Sequence, residues 1–340
     1  VSLYYLKTDL KRYRPLGHIL AEYLGEKLNV LSESEICHLA TEKDAVYYEV
    51  FMKPCNDCCL IGPEYYIANK WNSKIYQYNQ LQDIVNTPSF EVFKNVLRLI
   101  SDLDRIKKKW ERFIIFEEFG YGGKNCLVCD QFTSVTKIFT SFPLKSSIRV
   151  SNFLPNVHNV SLHFVISGSN KIWLSPIVDQ FISNNVVFKG GEYPSIISQS
   201  IRSKVLKVAG DVAIVLSRDG YRGLGHIDLM ISNGNVFFTE INPRKASTTM
   251  CISYMMENCF NYTIPIIEYH AVRYNEILDI KQTSSIIPWT LLMLDYNKDA
   301  PHSPGVERDY FRIKKSETVV YNDFYDRCTF RINIKHENFK

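Results

Sequence analysis

The stretch from Gly220 to Arg244 reads GYRGLGHIDLMISNGNVFFTEINPR, and its spacing is the most chemically suggestive in the chain. Asp228, Glu240 and Asn242 offer two carboxylates and an amide carbonyl, and Arg244 follows close behind. Hard oxygen donors of this kind suit Mg²⁺ and, through it, phosphate. A planar guanidinium beside them can grip phosphate or carboxylate through two nitrogens at once. Asn233-Gly234 between two apolar runs marks a hairpin. Strand alternation puts Phe238, Glu240 and Asn242 on one face of the second strand, and His226, Asp228 and Met230 on one face of the first. Whether the acids meet depends on the loop. Two loop residues would pair Asp228 with Thr239 and part the acids, whereas three, with Gly234 left-handed in a G1 bulge, would bring them together. The bulged loop is expected. The plainer alternative is a hairpin with polar residues on its wet face, and His226 is at least as readily a buried, hydrogen-bonded imidazole as a neighbour of phosphate.

A second feature lies upstream, in Phe119-Gly-Tyr-Gly-Gly-Lys-Asn125. Gly120, Gly122 and Gly123 leave backbone N–H groups free to approach an anion, and Lys124 adds a cation. Strands are expected on both sides, at Phe113–Glu118 and Cys126–Cys129, so this is not the phosphate loop that opens a helix. A flexible turn is the alternative. Arg222, beside Gly223 and Gly225, reads either as a bidentate clamp on a carboxylate or as a surface ion pair. Lys189, Glu192 and Tyr193 either line a substrate cavity or form a tight turn, and Ser247, Thr248 and Thr249 cap a helix that points back toward the site. The basic run Arg105–Lys109 reads as a solvated helix end. Cys55/Cys58 and Cys126/Cys129 stand too far apart for a zinc ribbon, and Cys126 and Cys129 fall on opposite faces of a strand, which suits core packing.

These groups need a scaffold. The chain has 340 residues, of which 46% are hydrophobic, enough to fill several cores. A net charge of +4 is too mild for a nucleic-acid footprint, no apolar run is long enough for a membrane span, and the start lacks a signal-peptide core. A soluble cytoplasmic protein is expected. A strand at Leu3–Leu6, a helix over Ile19–Leu28 and a strand at Ala45–Met52 give the rhythm of a small α/β lobe. Thr87-Pro88-Ser89 precedes a helix expected over Phe90–Trp110. Strands follow at Phe113–Phe116, Cys126–Cys129, Ser147–Val150, Val160–Ile166 and Ile172–Leu174, then a helix from Ser195 to Leu216. The strands Gly225–Ile231 and Asn235–Ile241 come next, then a helix from Ser247 to Phe260, and last a helix with short strands at Thr318–Tyr321 and Cys328–Ile334.

A glycine-rich flap between strands, an acid on a late strand and Glu-Ile-Asn-Pro-Arg on the next resemble the ATP-grasp superfamily of carboxylate–amine ligases. More narrowly, Phe116–Asn125, Arg149–His158, Trp173–Gln180 and Phe188–Pro194 resemble its pheganomycin-type peptide ligases. The resemblance implies an α/β (α+β) ATP-grasp fold, with a small N-terminal α/β lobe (1–70), a nucleotide-binding and catalytic domain (71–265) and a C-terminal packing region (266–340). It implies ATP between two lobes, with Asp228, Glu240 and Asn242 holding one or two Mg²⁺ (or Mn²⁺), Arg244 facing the transferring phosphate and the Gly120–Asn125 flap closing over the triphosphate. It puts Lys74 at the start of the nucleotide domain, and Val150, Ser151 and Phe153 in the hinge that contacts adenine. One departure stands out. Where the family often has a phosphate-binding lysine before the flap, this chain has Ile115-Phe116-Glu117-Glu118, so Lys124 or another cation must substitute. The activity implied is ATP-dependent amide formation through an acyl phosphate, in specialised-metabolite (antibiotic) biosynthesis. Its partners are a small carboxylate and an amine or peptide, and a homodimer is in keeping with such enzymes. Loading of an amino acid onto a carrier protein, or ATP binding with phosphotransfer or regulation but no ligation, are the rival readings.

Overall fold

A computed structural model describes residues 2–6, 14–41, 43–48, 59–120, 125–168, 171–183, 186–286, 288–295, 319–322 and 327–332. Gly122, Gly123, Lys124, Cys55 and Cys58 lie outside them. The first lobe is a four-stranded parallel sheet, ordered β2 (Leu28–Leu31), β1 (Leu3–Leu6), β3 (Ala45–Tyr47), β4 (Cys59–Ile61). Leu16, Leu20 and Ala21 of α1 (Arg14–Leu24) pack on Leu3 and Tyr5, and α2 (Glu33–Leu39) starts at a capping box between Ser32 and Glu35. The first helix stops short of the expected Leu28. Gly25 takes a left-handed φ of 66°, the usual end of a helix, and Leu28 opens a strand instead.

The second lobe is a four-stranded antiparallel sheet, ordered β5 (Phe90–Phe93), β8 (Ile148–Asn152), β6 (Arg112–Glu117), β7 (Cys126–Asp130). Helices α3 (Tyr65–Trp71) and α4 (Lys74–Leu81) precede it. The helix expected over Phe90–Trp110 is three elements. Phe90-Glu-Val-Phe pairs with β8 as a strand, and Asn95 caps α5 (Val96–Ser101) by accepting from Arg98 N. Then α6 (Leu103–Lys109) completes the run. Aromatic and β-branched residues facing a sheet outweigh a helical spacing that is only approximate. The basic run does end α6: Arg105 and Lys109 pair with Glu91, and Lys107 donates to the Gln131 and Thr133 carbonyls. Ile138 of α7 (Val135–Ser141) joins the same core.

The largest sheet runs β14 (Asn235–Asn242), β13 (Gly223–Ser232), β9 (His158–Ile166), β11 (Val178–Ser183), β12 (Val187–Tyr193), β15 (Trp289–Asp295), β17 (Arg327–Ile332), β16 (Val319–Asn322), with β10 (Ile172–Leu174) on β9. Its hydrogen-bonded pairs are antiparallel. Helix α8 (Gln199–Arg218) covers one face through Val205, Ala209, Val212 and Leu216, while α9 (Thr249–Phe260) and α10 (Ile264–Arg273) cover the other through Ile252, Met255 and Ile267. The Lys189–Tyr193 segment is strand β12, not a tight turn. Gly191 permits it, because a Cβ there would come within 2.8 Å of the Asp179 carbonyl on the neighbouring strand. No helix among the described residues is long and apolar enough to cross a membrane.

Candidate active site

Asp228 and Glu240 are cross-strand partners, as the chemistry requires, but a different device achieves it. The turn is two residues long: Ser232 pairs with Asn235, and Asn233 and Gly234 take φ of 49° and 73°. This is the left-handed pair that a tight hairpin turn demands. The extra residue sits inside the strand. Asp228 pairs with Glu240 and Leu229 with Phe238, so Thr239 bulges out. Side-chain parity changes there, and Val236, Phe238 and Ile241 all enter the core beneath α8. Phe238 therefore faces away from Glu240 and Asn242, contrary to simple alternation. The loop expected to carry the bulge is regular, and the acids converge because the strand is not.

Gln180 Nε2 donates to Asp228 Oδ1 at 2.6 Å, and Asn242 Nδ2 donates to Oδ2 at 2.8 Å. Burial, with repulsion from Glu240 second, pushes the Asp228 carboxyl up to about 7. Glu240 forms a short ion pair with Lys74, whose Nζ also donates to the Gly120 carbonyl at 3.2 Å. Arg244 Nη2 donates to Asn242 Oδ1 at 3.0 Å. A crowded, partly buried carboxylate pair with an amide group alongside fits a divalent cation, which would relieve the repulsion. His226 extends the row: both ring nitrogens are buried without a hydrogen-bond partner among the described residues, and Nδ1 lies 3.5 Å from Asp228 Oδ1. Burial, then His163 and Arg244, hold it well below the usual histidine range, so it is neutral.

Helix α4 sets the cation against the carboxylates. Ser73 caps it by accepting from Tyr76 N and donates to Glu118 at 2.6 Å, and Lys74 N donates to the Glu118 carbonyl. From the same helix, Gln77 mimics a strand partner for the edge strand β14. It donates to the Ile241 carbonyl at 2.7 Å and accepts from Ile241 N at 2.9 Å. Ile241 stands between Glu240 and Asn242, so this peptide mimicry fixes both residues relative to Lys74. Glu117 and Glu118, just before the glycine-rich segment, are engaged with Ser146 and Ser73.

The acids form one end of a cleft of about 490 Å³ between the antiparallel sheets, lined also by Tyr78, Phe116, Ser151, Phe153 and Phe188. That volume falls within the range of small-molecule sites. Ser151 and Phe153 stand on its wall, with Arg112 over the Phe153 ring at 4.1 Å. Val150 points the other way, into the core with Phe113 and Ile115. Arg222 is far from acting as a clamp. Its guanidinium donates to the carbonyls of Ser217, Tyr221 and Gly168, which ties down the end of α8 where a cation suits the helix dipole. Of the two cysteines on β7, Cys126 lines the cleft and Cys129 packs in the core.

Sequence reading missed Gln77, Gln180 and Arg149. Arg149, 1% exposed on β8, lies opposite Phe116 on β6. Its guanidinium is sandwiched 3.6 Å from the Tyr78 ring and 4.3 Å from the Phe116 ring, with Nη1 on the Lys74 carbonyl at 3.4 Å. It makes no ion pair among the described residues. A charged residue between Ile148 and Val150 in an expected strand was the available clue.

Three comparisons bear on this geometry. The ATP-grasp domain family matches residues 68–248, more than half of the chain. Formate-dependent phosphoribosylglycinamide formyltransferase of Wolinella succinogenes is 22% identical over 231 residues, and the match takes in 66% of this chain but only 57% of that protein. Among solved structures, a biotin carboxylase–ATP complex from Campylobacter jejuni superposes with a TM-score of 0.73 at 12% identity, covering 98% of this chain and 87% of that one. The ADP complex of N5-carboxyaminoimidazole synthetase from Staphylococcus aureus gives 0.68 at 15% identity, covering 86% and 82%. Phosphoribosylamine–glycine ligase of Thermotoga maritima gives 0.68 at 15%, covering 97% and 90%. These likenesses share one architecture, a small N-terminal lobe and two lobes that form a nucleotide-binding cleft.

Proposed function

The chain belongs to the ATP-grasp family, and from that premise we propose that it joins a small carboxylic acid or amino acid to an amine or peptide at the expense of ATP. The observation that carries this reading is the convergence of Asp228, Glu240, Asn242, Lys74 and Arg244 at one end of the cleft. Carboxylate is a poor electrophile at neutral pH, so it must first acquire a leaving group. A carboxylate oxygen attacks the γ-phosphorus of ATP, the bond to the ADP oxygen breaks, and an acyl phosphate forms. The amine nitrogen then attacks the acyl carbon, the bond to the phosphate oxygen breaks, and the amine loses its proton to phosphate or solvent.

The protein's task is alignment and charge neutralisation. Asp228, Glu240 and Asn242 would hold Mg²⁺, which neutralises phosphate charge when bound. Arg244 faces the transferring phosphate, and Lys74 exchanges its hold on Glu240 for a phosphate oxygen. Asn242 presents its amide nitrogen to Asp228 and its oxygen to Arg244, so a half-turn of the amide would offer that oxygen to the cation and leave Arg244 held through Nη1 on the Lys245 carbonyl. Ser151 and Phe153 form the adenine wall, and Gly120 anchors the flap. Resemblance in four segments supports peptide ligation of the pheganomycin type as the finer reading.

The test is phosphate release from ATP and Mg²⁺ with a panel of paired acids and amines, followed by mass analysis of products. An amide with stoichiometric ADP and phosphate is expected. A phosphorylated product without free phosphate, or nucleotide binding with no turnover for any pair, carrier-protein acceptors included, would overturn the ligase reading.

A further inference from the structure

Lys245, directly after Arg244, is 3% exposed and reaches away from the cleft. Its Nζ donates to the Tyr48 carbonyl, sits 4.0 Å above the Tyr47 ring and lies 3.7 Å from Glu268 Oε2. Glu268, on α10, is fully buried, and its other oxygen accepts from Leu224 N at 2.9 Å. Three separate parts of the fold therefore meet on one side chain: the N-terminal lobe just after β3, the end of the site hairpin, and α10. Gly223 makes room for the meeting. At φ 95°, a Cβ there would stand 2.8 Å from the Gly62 carbonyl carbon and 3.2 Å from Glu268 Oε1.

The backbone of the same residue turns back to the site. Arg244 Nη1 donates to the Lys245 carbonyl at 3.2 Å, while Nη2 donates to Asn242. The guanidinium thus rests on two oxygens, one of which belongs to the residue that the N-terminal lobe and α10 anchor. A buried lysine–glutamate pair contributes little net stability compared with apolar residues of the same volume. What it supplies is a fixed geometry.

We propose that Lys245 is a positioning residue for Arg244, anchored by Tyr48 and Glu268 so that its carbonyl holds the guanidinium toward the transferring phosphate. The inference rests on the reading of Arg244 given above. It also assigns the N-terminal lobe a part in the chemistry, since that lobe supplies the Tyr48 carbonyl.

The experiment compares equilibrium binding of Mg²⁺ with AMPPNP and of Mg²⁺ with ADP to the full chain, because only AMPPNP carries a third phosphoryl group. Arg244→Ala is expected to lower the preference for AMPPNP by about tenfold, the scale of one charge-assisted contact. Lys245→Met should lower it similarly, Lys245→Arg should restore much of it, and Lys245→Met should add nothing in the Arg244→Ala background. ADP affinity should change little throughout. Additive losses, or an unchanged preference in Lys245→Met, overturn the proposal while the reading of Arg244 stands. An unchanged preference in Arg244→Ala removes that reading and the proposal with it. Should Lys245→Met fail to fold, Glu268→Gln keeps the shape, removes the charge and is read by the same two outcomes.

Discussion

Lys74 and Glu240 come from positions 166 residues apart and meet in an ion pair at the end of the cleft. One belongs to the first turn of α4 and the other to the edge strand of the largest sheet. Gln77 joins the two elements through the backbone of Ile241. The cation and the carboxylate are therefore delivered as a unit, and each balances the other's charge in a partly dehydrated place.

Lys74→Met should weaken binding of Mg²⁺–AMPPNP by about 10- to 100-fold, the loss of one charge-assisted contact in a desolvated site. Titration calorimetry checks it. Glu240→Gln should abolish the dependence of nucleotide binding on Mg²⁺, and retention of that dependence would remove Glu240 from the ligand set.

Asp228 gives a pH signature. Its carboxyl, raised from 3.8 to about 7, holds a proton more tightly in the folded chain. Its contribution to stability is therefore full below about pH 3.8 and is lost as the pH rises through about 7. A cation must displace that proton, so Mg²⁺ binding should strengthen from pH 6 to pH 8 (on the order of tenfold). Calorimetry in buffers of different ionisation enthalpy should register proton release, and Asp228→Asn should abolish it.

Arg222 and Arg244 make opposite predictions despite equal chemistry. Arg244→Ala should abolish ADP release driven by the substrate pair. Arg222→Ala should leave nucleotide affinity and turnover near normal, because among the described residues its guanidinium holds only backbone carbonyls. Its cost is about 1–2 kcal/mol of stability, read from urea melts. Equal losses of turnover in the two variants would return Arg222 to the site.

Gly223→Ala should destabilise the chain by roughly 2–4 kcal/mol, combining a left-handed backbone with close contact to other main chain. Chemical denaturation measures this directly. A neutral result would show that the packing between β13, Glu268 and the segment at Gly62 is looser than the contact distances imply.

Much of the architecture was legible in the sequence, because strands and helices with a single buried face print their period on it. The strands of the hairpin and those around the flap were read close to their observed bounds, whereas the turn holds two residues in place of the expected three. The error over Phe90–Trp110 has a physical cause: short strands and short helices in succession mimic one helical spacing, and only the β8 partner identifies Phe90–Phe93 as a strand. Strand β11 was not read at all.

The candidate ligand atoms are named by the order of residues along the chain. Asp, Glu, Asn and Arg within one hairpin are an oxygen-rich, phosphate-seeking set in any fold that brings them together. Their assembly was decided elsewhere. The bulge at Thr239 is chosen by the burial of Phe238 and Ile241 under α8, a contact across the sheet. The pairing with Lys74, the donation from Gln180 and the anchoring of Lys245 all join segments distant in the chain. Local periodicity records which face of an element is buried, whereas the partner that buries it is fixed only when the whole chain has packed.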